Sequence, residues 1–407
     1  MFMRNTIGYQ IKNCRKYKGY SLQAVSEATG ISFVRLSKFE RGTEKPTAQN
    51  INKIENVLMV DFSNTDIIDN EINALMAEFK ESIFYLRNNN NYYLDLIESN
   101  RERYVISSNF YKILLIEYIV NVLANYDDVI KLENEIEATI NHSMIDFQLF
   151  IEYRAVRKHS MKQYDSAMKL LKEALIIAND EKNMGMIYYH YGIIAHSCEQ
   201  YFEAYDYLVK AKYIFDKYYS YLRSGKCDLQ IGNIYIRLGR YDLALNKLNE
   251  WLKALKDTKE ERNIKAIIFR NMAWVNILMR DHEAALKLIK EAEKLSPKNG
   301  NAILYKIWCL YKLEDYKSAY KIILNNKQLE KDKIYRDRFI LFSYLVKDRN
   351  EHPRKRTLDQ AKKVYEQFLI EKKAGVLDFY LTILIEILEK SNETKELIYY
   401  LKIKAKV

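Results

Sequence analysis

Proline and glycine are scarce in this chain: 3 Pro and 11 Gly among 407 residues. Hairpins and tight turns draw on both, so their shortage argues against a β-rich fold, and abundant Lys, Glu, Leu, Ile and Tyr point to an all-α protein. The four cysteines, at 14, 198, 227 and 309, have no C-x-x-C or metal-ligand spacing. They read as buried, reduced thiols, and neither a metal nor a cofactor is expected. Long apolar runs are missing too. The most apolar stretch, 113–123, is interrupted by Glu117, and the opening MFMRNTIGYQ has no signal-peptide core, so a cytoplasmic protein without a membrane span is expected. Catalytic patterns are also lacking: no GxSxG, Walker loop or HExxH occurs, and the six His include no i, i+4 pair. A protein that is not an enzyme is expected.

What is present is unevenly placed charge. The formal net charge is +11, yet residues 1–60 hold ten Lys or Arg against four Glu, a net +6 that leaves +5 for the other 347 residues. Such a cationic head fits phosphate binding. Within it, 21–42 reads as helix, glycine turn, helix. Ser21 caps a helix with Leu22, Val25 and Ala28 on one face, and Gly30 ends it. Ser32 caps a second helix that turns Leu36 and Phe39 inward, and Gly42 stops that one. A helix over 6–17 precedes, and one over 48–58 follows Pro46. Four or five helices close a small domain by residue 62, in the layout of a DNA-reading helix-turn-helix.

Residues 4–62 resemble the XRE, or lambda-repressor-like, helix-turn-helix family. The resemblance is carried by Lys12, Arg15, Gly19, Ser21, Gly30, Ile31, Ser32, Leu36, Ser37, Phe39, Glu40, Gly42 and Pro46. It implies a structural ion pair, Arg15 to Glu40, that sets how the first and recognition helices meet. It also places Ser32, Phe33, Val34, Arg35 and Lys38 in the major groove of double-stranded DNA. Arg35 and Lys38 suit guanine O6 and N7, and Phe33 and Val34 suit thymine methyls. Arg41, Thr43 and Lys45 are expected on phosphates. Leu22 departs from the family, which usually has Gln there.

Residues 63–104 read as a helical connector, with Ile67, Ile68, Ile72, Leu75, Met76 and Phe79 at helical spacing and a loop over 88–91. The body that follows, 105–407, repeats. Tyr164-Asp165-Ser166-Ala167 recurs as Tyr201-Phe202-Glu203-Ala204 and Tyr241-Asp242-Leu243-Ala244, and the series continues to Ala285 and Ala319. The alanines are 37, 40, 41 and 34 residues apart. These units resemble tetratricopeptide repeats over 105–370, which implies a right-handed superhelix of paired A and B helices. Gly192, Gly232 and Ala273 are expected to let each helix A close on its helix B. A degenerate repeat over 126–136 and a later one at 358–368 extend the series, and 349–356 reads as a charged loop. The concave face of such a superhelix takes an extended peptide. In that register Tyr189, His196, Lys226, Asn233, Arg237, Arg270, Asn271, Trp274, Trp308 and Tyr311 face the groove. Asn233 and Asn271 stand where peptide-binding repeats grip peptide backbone, since one amide offers a donor and an acceptor. Lys226, Arg237 and Arg270 suit an acidic side chain or a terminal carboxylate.

Head and body together resemble the RRNPP group of peptide-pheromone receptors, nearer in length to NprR-like than to PlcR-like members. The resemblance implies a quorum-sensing transcriptional regulator, a homodimer in which a short signalling peptide alters DNA binding or oligomeric state. Its alternative is a peptide-regulated interaction module that inhibits a response regulator or phosphorelay protein.

Overall fold

The structure, a computed structural model, describes residues 7–87, 90–124, 129–139, 146–256, 259–349, 353–370, 374–391 and 393–405. Among these residues there are 22 α-helices, one 3-10 turn and no strand, as the shortage of turn residues requires. None of the helices is long and apolar enough to cross a membrane. All four cysteines are free; Cys14, Cys227 and Cys309 are buried, but Cys198, expected inside, is only half-buried.

The head comprises α1 (Ile7–Tyr17), α2 (Leu22–Thr29), α3 (Phe33–Glu40) and α4 (Ala48–Leu58). Ile11, Val25, Ile31, Leu36, Phe39, Ile54 and Leu58 form its core. The Ser21 hydroxyl accepts a hydrogen bond from the Ala24 amide at 3.0 Å, and Gly30 closes α2 at φ 69, a left-handed conformation that glycine adopts without strain. Two details differ from expectation. Ala28 faces solvent, and the buried place falls to Thr29, whose hydroxyl donates to the Val25 carbonyl at 2.6 Å. Ser32 stands at the N-cap of α3 but its side chain makes no cap bond. Gly8 had no visible role in the sequence. A Cβ there would lie 1.8 Å from the Phe39 carbonyl oxygen, so α1 and α3 cross backbone against backbone.

The connector continues through α5 (Asp66–Phe84) and α6 (Asn90–Tyr104), followed by α7 (Phe110–Leu123) and α8 (Ile130–Glu137). Asn90 and Asn91, expected in a loop, open α6 instead, while Asn88 and Asn89 lie outside the described residues. Helix α7 is apolar around most of its circumference because α5, α6, α8 and the first repeat helix all pack on it. The degenerate repeat read over 126–136 lies partly outside the described residues; 130–136 belong to α8.

Paired helices make up the rest: α9 (Phe147–Ser160) with α10 (Tyr164–Ile177), α11 (Glu181–Ser197) with α12 (Tyr201–Lys217), then α13 (Tyr221–Arg237) and α14 (Tyr241–Ala254). They continue as α15 (Lys259–Leu278) with α16 (His282–Leu295), α17 (Gly300–Lys312) with α18 (Tyr316–Asn325), α19 (Arg336–Asp348) with α20 (Lys355–Ile370), and α21 (Ala374–Glu389) with α22 (Thr394–Lys404). The B helices from α10 to α20 are each anchored by a buried alanine: Ala167, Ala204, Ala244, Ala285, Ala319 and Ala361. The later repeat is α20, which starts at Lys355 and so takes the end of the expected charged loop into a helix. At Gly192 an added Cβ would come within 2.6 Å of Leu208 Cγ and 3.1 Å of the Ala204 oxygen, so this glycine is required where α11 closes on α12. Gly232 is less constrained, because its nearest neighbour, Leu248, would be at 3.7 Å, an ordinary contact.

The chain divides into two compact units, 1–227 and 228–407, with the division inside α13. The first unit contains the head, the connector and the first repeats together. There the head is docked: Gln10 Nε2 donates to the Ile106 carbonyl at 2.8 Å, and Lys16 and Lys18 pair with Glu135 and Glu102 at 3.1 and 3.8 Å. Part of the basic charge assigned to phosphate binding is therefore used to hold the head on the body.

Candidate DNA interface and ligand face

The recognition helix projects a polar and apolar mixture into solvent. Ser32, Phe33, Val34, Arg35, Lys38, Arg41, Thr43 and Lys45 are all exposed, and the Phe33 and Val34 side chains have no packing role in the head core. Its angle is set from behind. Arg15 Nε and Nη2 bind the two carboxylate oxygens of Glu40 at 2.5 and 2.9 Å, and Nη1 donates to the Tyr20 carbonyl at 2.7 Å. A two-pronged pair of this kind fixes orientation as well as distance. Three candidate contacts have partners already. Arg35 is paired with Glu44 at 2.9 Å and lies over the Phe39 ring, and the Thr43 hydroxyl donates to the Lys38 carbonyl at 3.2 Å, closing the end of α3. Arg41 Nε donates to the Ser37 carbonyl at 3.2 Å. Arg35 has to exchange Glu44 for a base edge to read one; Lys38 and Lys45 extend into solvent.

In the first unit, the ligand candidates are Tyr189, His196 and Lys226. Tyr189 is buried rather than presented. It packs on Phe215, with the Arg223 guanidinium 5.6 Å above its ring, and burial pushes its phenol up to about 12. His196 is half-buried. Lys226 is half-buried and no acid among the described residues pairs with it; burial, and then the like charge of Arg223, pull its ammonium down to about 8. Arg223 itself gave no signal in the sequence. It is buried, and its Nε and Nη2 donate to the Ile83 carbonyl at 3.1 and 2.5 Å. Ile83 belongs to the last turn of α5, where unsatisfied carbonyls form the negative pole of the helix, so a guanidinium there needs no carboxylate. Ser220 donates to the Phe84 carbonyl at 2.8 Å, and the Tyr85 hydroxyl to the Tyr218 carbonyl at 3.1 Å. Lys182, paired with Glu81 at 2.6 Å, lies over the rings of Phe84, Tyr85 and Tyr218. The end of α5 is thus fastened to the repeats side chain by side chain.

The second unit contains Asn233, Arg237, Arg270, Asn271, Trp274, Trp308 and Tyr311. Asn233 donates to Gln230 at 3.3 Å, and Arg237 and Asn271 are half-buried. Trp274 stacks on Tyr305 with centroids 5.3 Å apart, and Phe379 stands edge-on to both Trp274 and Trp308. Trp308 is a core residue rather than a groove wall, because Tyr311, Phe342 and Phe379 surround it. Tyr311 is half-buried, and burial pushes its phenol up to about 12. Arg270 is half-buried and pairs with no acid among the described residues. Its Nη1 is buried without a hydrogen-bond partner, and burial holds the guanidinium below its ordinary range. Among the described residues no cluster of three His, Cys, Asp or Glu could hold a metal.

The helix-turn-helix family matches residues 11–63, and a family described as the suppressor of spindle checkpoint defect 1 C-terminal domain matches 194–305. No curated protein matches this chain in sequence. Solved structures match over most of its length. A Rap protein complexed with competence and sporulation factor aligns with a TM-score of 0.67 at 16% identity, covering 83% of this chain and 97% of its own. The apo form of the quorum sensor NprR from B. thuringiensis aligns with a TM-score of 0.66 at 13% identity, covering 83% and 99%. NprR in complex with its cognate peptide NprX aligns at 0.55 and 16% identity, covering 82% and 99%. The class is therefore an XRE-type helix-turn-helix head on tetratricopeptide-like helical repeats. Within it, the chain has the fold of the Rap and NprR proteins.

Proposed function

We propose that this chain is a peptide-sensing transcriptional regulator that binds double-stranded DNA through α3 and a short signalling peptide on the A helices of its repeats. The observation that carries the reading is the conjunction of an exposed recognition helix with a body that, among the described residues, leaves a cation unpaired by acids in each unit: Lys226 in the first and Arg270 in the second. Unpaired, partly desolvated cations are costly unless a ligand completes them. Ser32, Phe33, Val34, Arg35 and Lys38 read bases, and Arg41 and Lys45 hold phosphates. Asn233 and Asn271 hold peptide backbone, while Lys226, Arg237 and Arg270 take acidic groups. The chain works as a homodimer, and peptide alters the placement of two heads that must meet half-sites one helical turn, about 34–36 Å, apart or a multiple of it. Likeness of fold to Rap with its bound factor and to NprR with NprX supports a peptide as the ligand class. The test is a mobility shift on the DNA beside its own gene at low salt, with and without synthetic peptides encoded by neighbouring small reading frames. A shift changed by peptide is expected. Absence of any shift in both conditions sinks the DNA assignment.

A further inference from the structure

The second unit contains a second guanidinium, on a helix that packs on α17 as α15 does, and among the described residues it is, like Arg270, without a carboxylate. Arg338, on α19, donates from Nη1 to Asn301 Oδ1 at 3.2 Å and from Nη2 to the Ile334 carbonyl at 3.1 Å, both neutral acceptors. It lies 5.2 Å over the Tyr335 ring. Arg270 and Arg338 both act electrostatically on the half-buried Tyr305, and Arg270 also acts on Tyr335, whose ring lies under Arg338. The neighbouring helices α15, α17 and α19 thus bring two guanidiniums to one tyrosine pair, with Trp274 stacked on Tyr305 as an apolar wall. Gly300 makes room for this arrangement, since a Cβ there would lie 2.6 Å from the Tyr335 ring. No acid among the described residues pairs with either arginine. The acid next in sequence, Asp337, is taken by Lys363 at 2.8 Å and Arg336 at 3.6 Å.

We infer that Arg270 and Arg338 form a carboxylate-recognition site for a peptide ligand, with Tyr305, Tyr335 and Asn301 positioning the two guanidiniums and Trp274 packing against an apolar side chain next to the carboxylate. The site rests on the peptide reading above and adds the chemistry that the peptide must carry. A guanidinium presents a planar fork of donors that matches a carboxylate, and Arg270 Nη1 is a buried donor awaiting an acceptor. The carboxylate comes from the peptide C-terminus or from Asp or Glu.

Three pools of random heptapeptides, panned on the immobilised full-length chain, separate these cases: free-acid peptides lacking Asp and Glu, C-terminal amides lacking Asp and Glu, and C-terminal amides containing them. Retention of the first or third pool over the second by about tenfold is expected, the size of a charge-assisted pair, and Arg270→Gln and Arg338→Gln should each reduce that preference to about twofold or less. Retention of all pools alike, or a preference that survives both substitutions, overturns the inference and leaves the peptide groove standing. Because Arg338 also packs on Tyr335, a second arm measures protection of the full-length chain against thermal unfolding by N-acetylglycine and by its amide. Protection by the acid alone that disappears in Arg338→Lys, which keeps the charge but loses the fork, supports the site even if no peptide is retained, and in that case only the peptide reading falls. Failure of both arms overturns the two together.

Discussion

Lys226 is the residue whose chemistry a pH titration reads most directly. Burial and Arg223 hold its ammonium near 8, below the ordinary lysine range. Below pH 8 the native and unfolded chains both carry the proton, and the fold bears the full cost of the buried charge. Above it the native state loses its proton first, the unfolded state binds more protons, and stability rises with pH until the unfolded lysine also titrates. Urea unfolding followed by circular dichroism should therefore show greater stability at pH 9.5 than at pH 7.5, and Lys226→Met should remove that component. Tryptophan fluorescence is the wrong probe here, because Trp251, Trp274 and Trp308 all lie in the second unit. The Arg15–Glu40 pair gives a second prediction at this scale. Its side chains are only 11% and 7% exposed, so Arg15→Ala strands a buried carboxylate and costs the head about 3–5 kcal/mol. Mobility shifts should be lost while most of the helical signal, which comes from the body, remains.

At the scale of elements, the repeat turns follow one geometry written in different residues. Lys162, Glu199, Gly239, Arg280 and Glu314 all have φ between 60 and 67, and each stands five residues before an anchoring alanine. Only one of the five is glycine. A left-handed residue with a Cβ costs about 1–2 kcal/mol, partly offset because glycine loses more chain entropy on folding. Glu314→Gly should thus stabilise the second unit by up to about 1 kcal/mol, read as a higher midpoint in tryptophan-detected unfolding. Gly8→Ala should do the opposite and unfold the head, because the Phe39 carbonyl occupies the place of the new methyl group. These positions also mark what the sequence could tell. The helices and the repeat period were legible, since apolar spacing and buried alanines are local, repeated signals. The left-handed turns at Lys162, Glu199, Arg280 and Glu314 were not, because nothing in those residue types favours that conformation. Nor was the site fully legible. Tyr189 and Trp308 have the register of groove residues but are buried by neighbours such as Phe215 and Phe342, and Arg223 finds its partner 140 residues away at Ile83. Arg338 follows Arg336 and precedes Phe339 in a stretch that reads as an ordinary charged helix start; packing against Tyr335, Phe368, Tyr380 and Asn301 distinguishes it.

At the scale of the whole molecule, charge is divided between grip and docking. Lys16 and Lys18 face acids of the body, so the salt dependence of DNA binding should follow Arg35, Lys38, Arg41 and Lys45 instead. Lys45→Ala should weaken binding to all sequences alike and lower the slope of log K against log salt by about one per head, whereas Lys16→Ala should leave the slope unchanged. Arg223→Met should release the end of α5, seen as faster hydrogen exchange over 80–87 with the head still folded. That one arginine holds the helix leading to the head and also borders Tyr189 and Lys226. A ligand that draws on Arg223 therefore changes how firmly the head is held, and the exchange runs both ways by equal factors. On the proposed function, operator DNA is then expected to act as an effector of sensing: a cell with more copies of the operator would respond to the same signal at a different threshold.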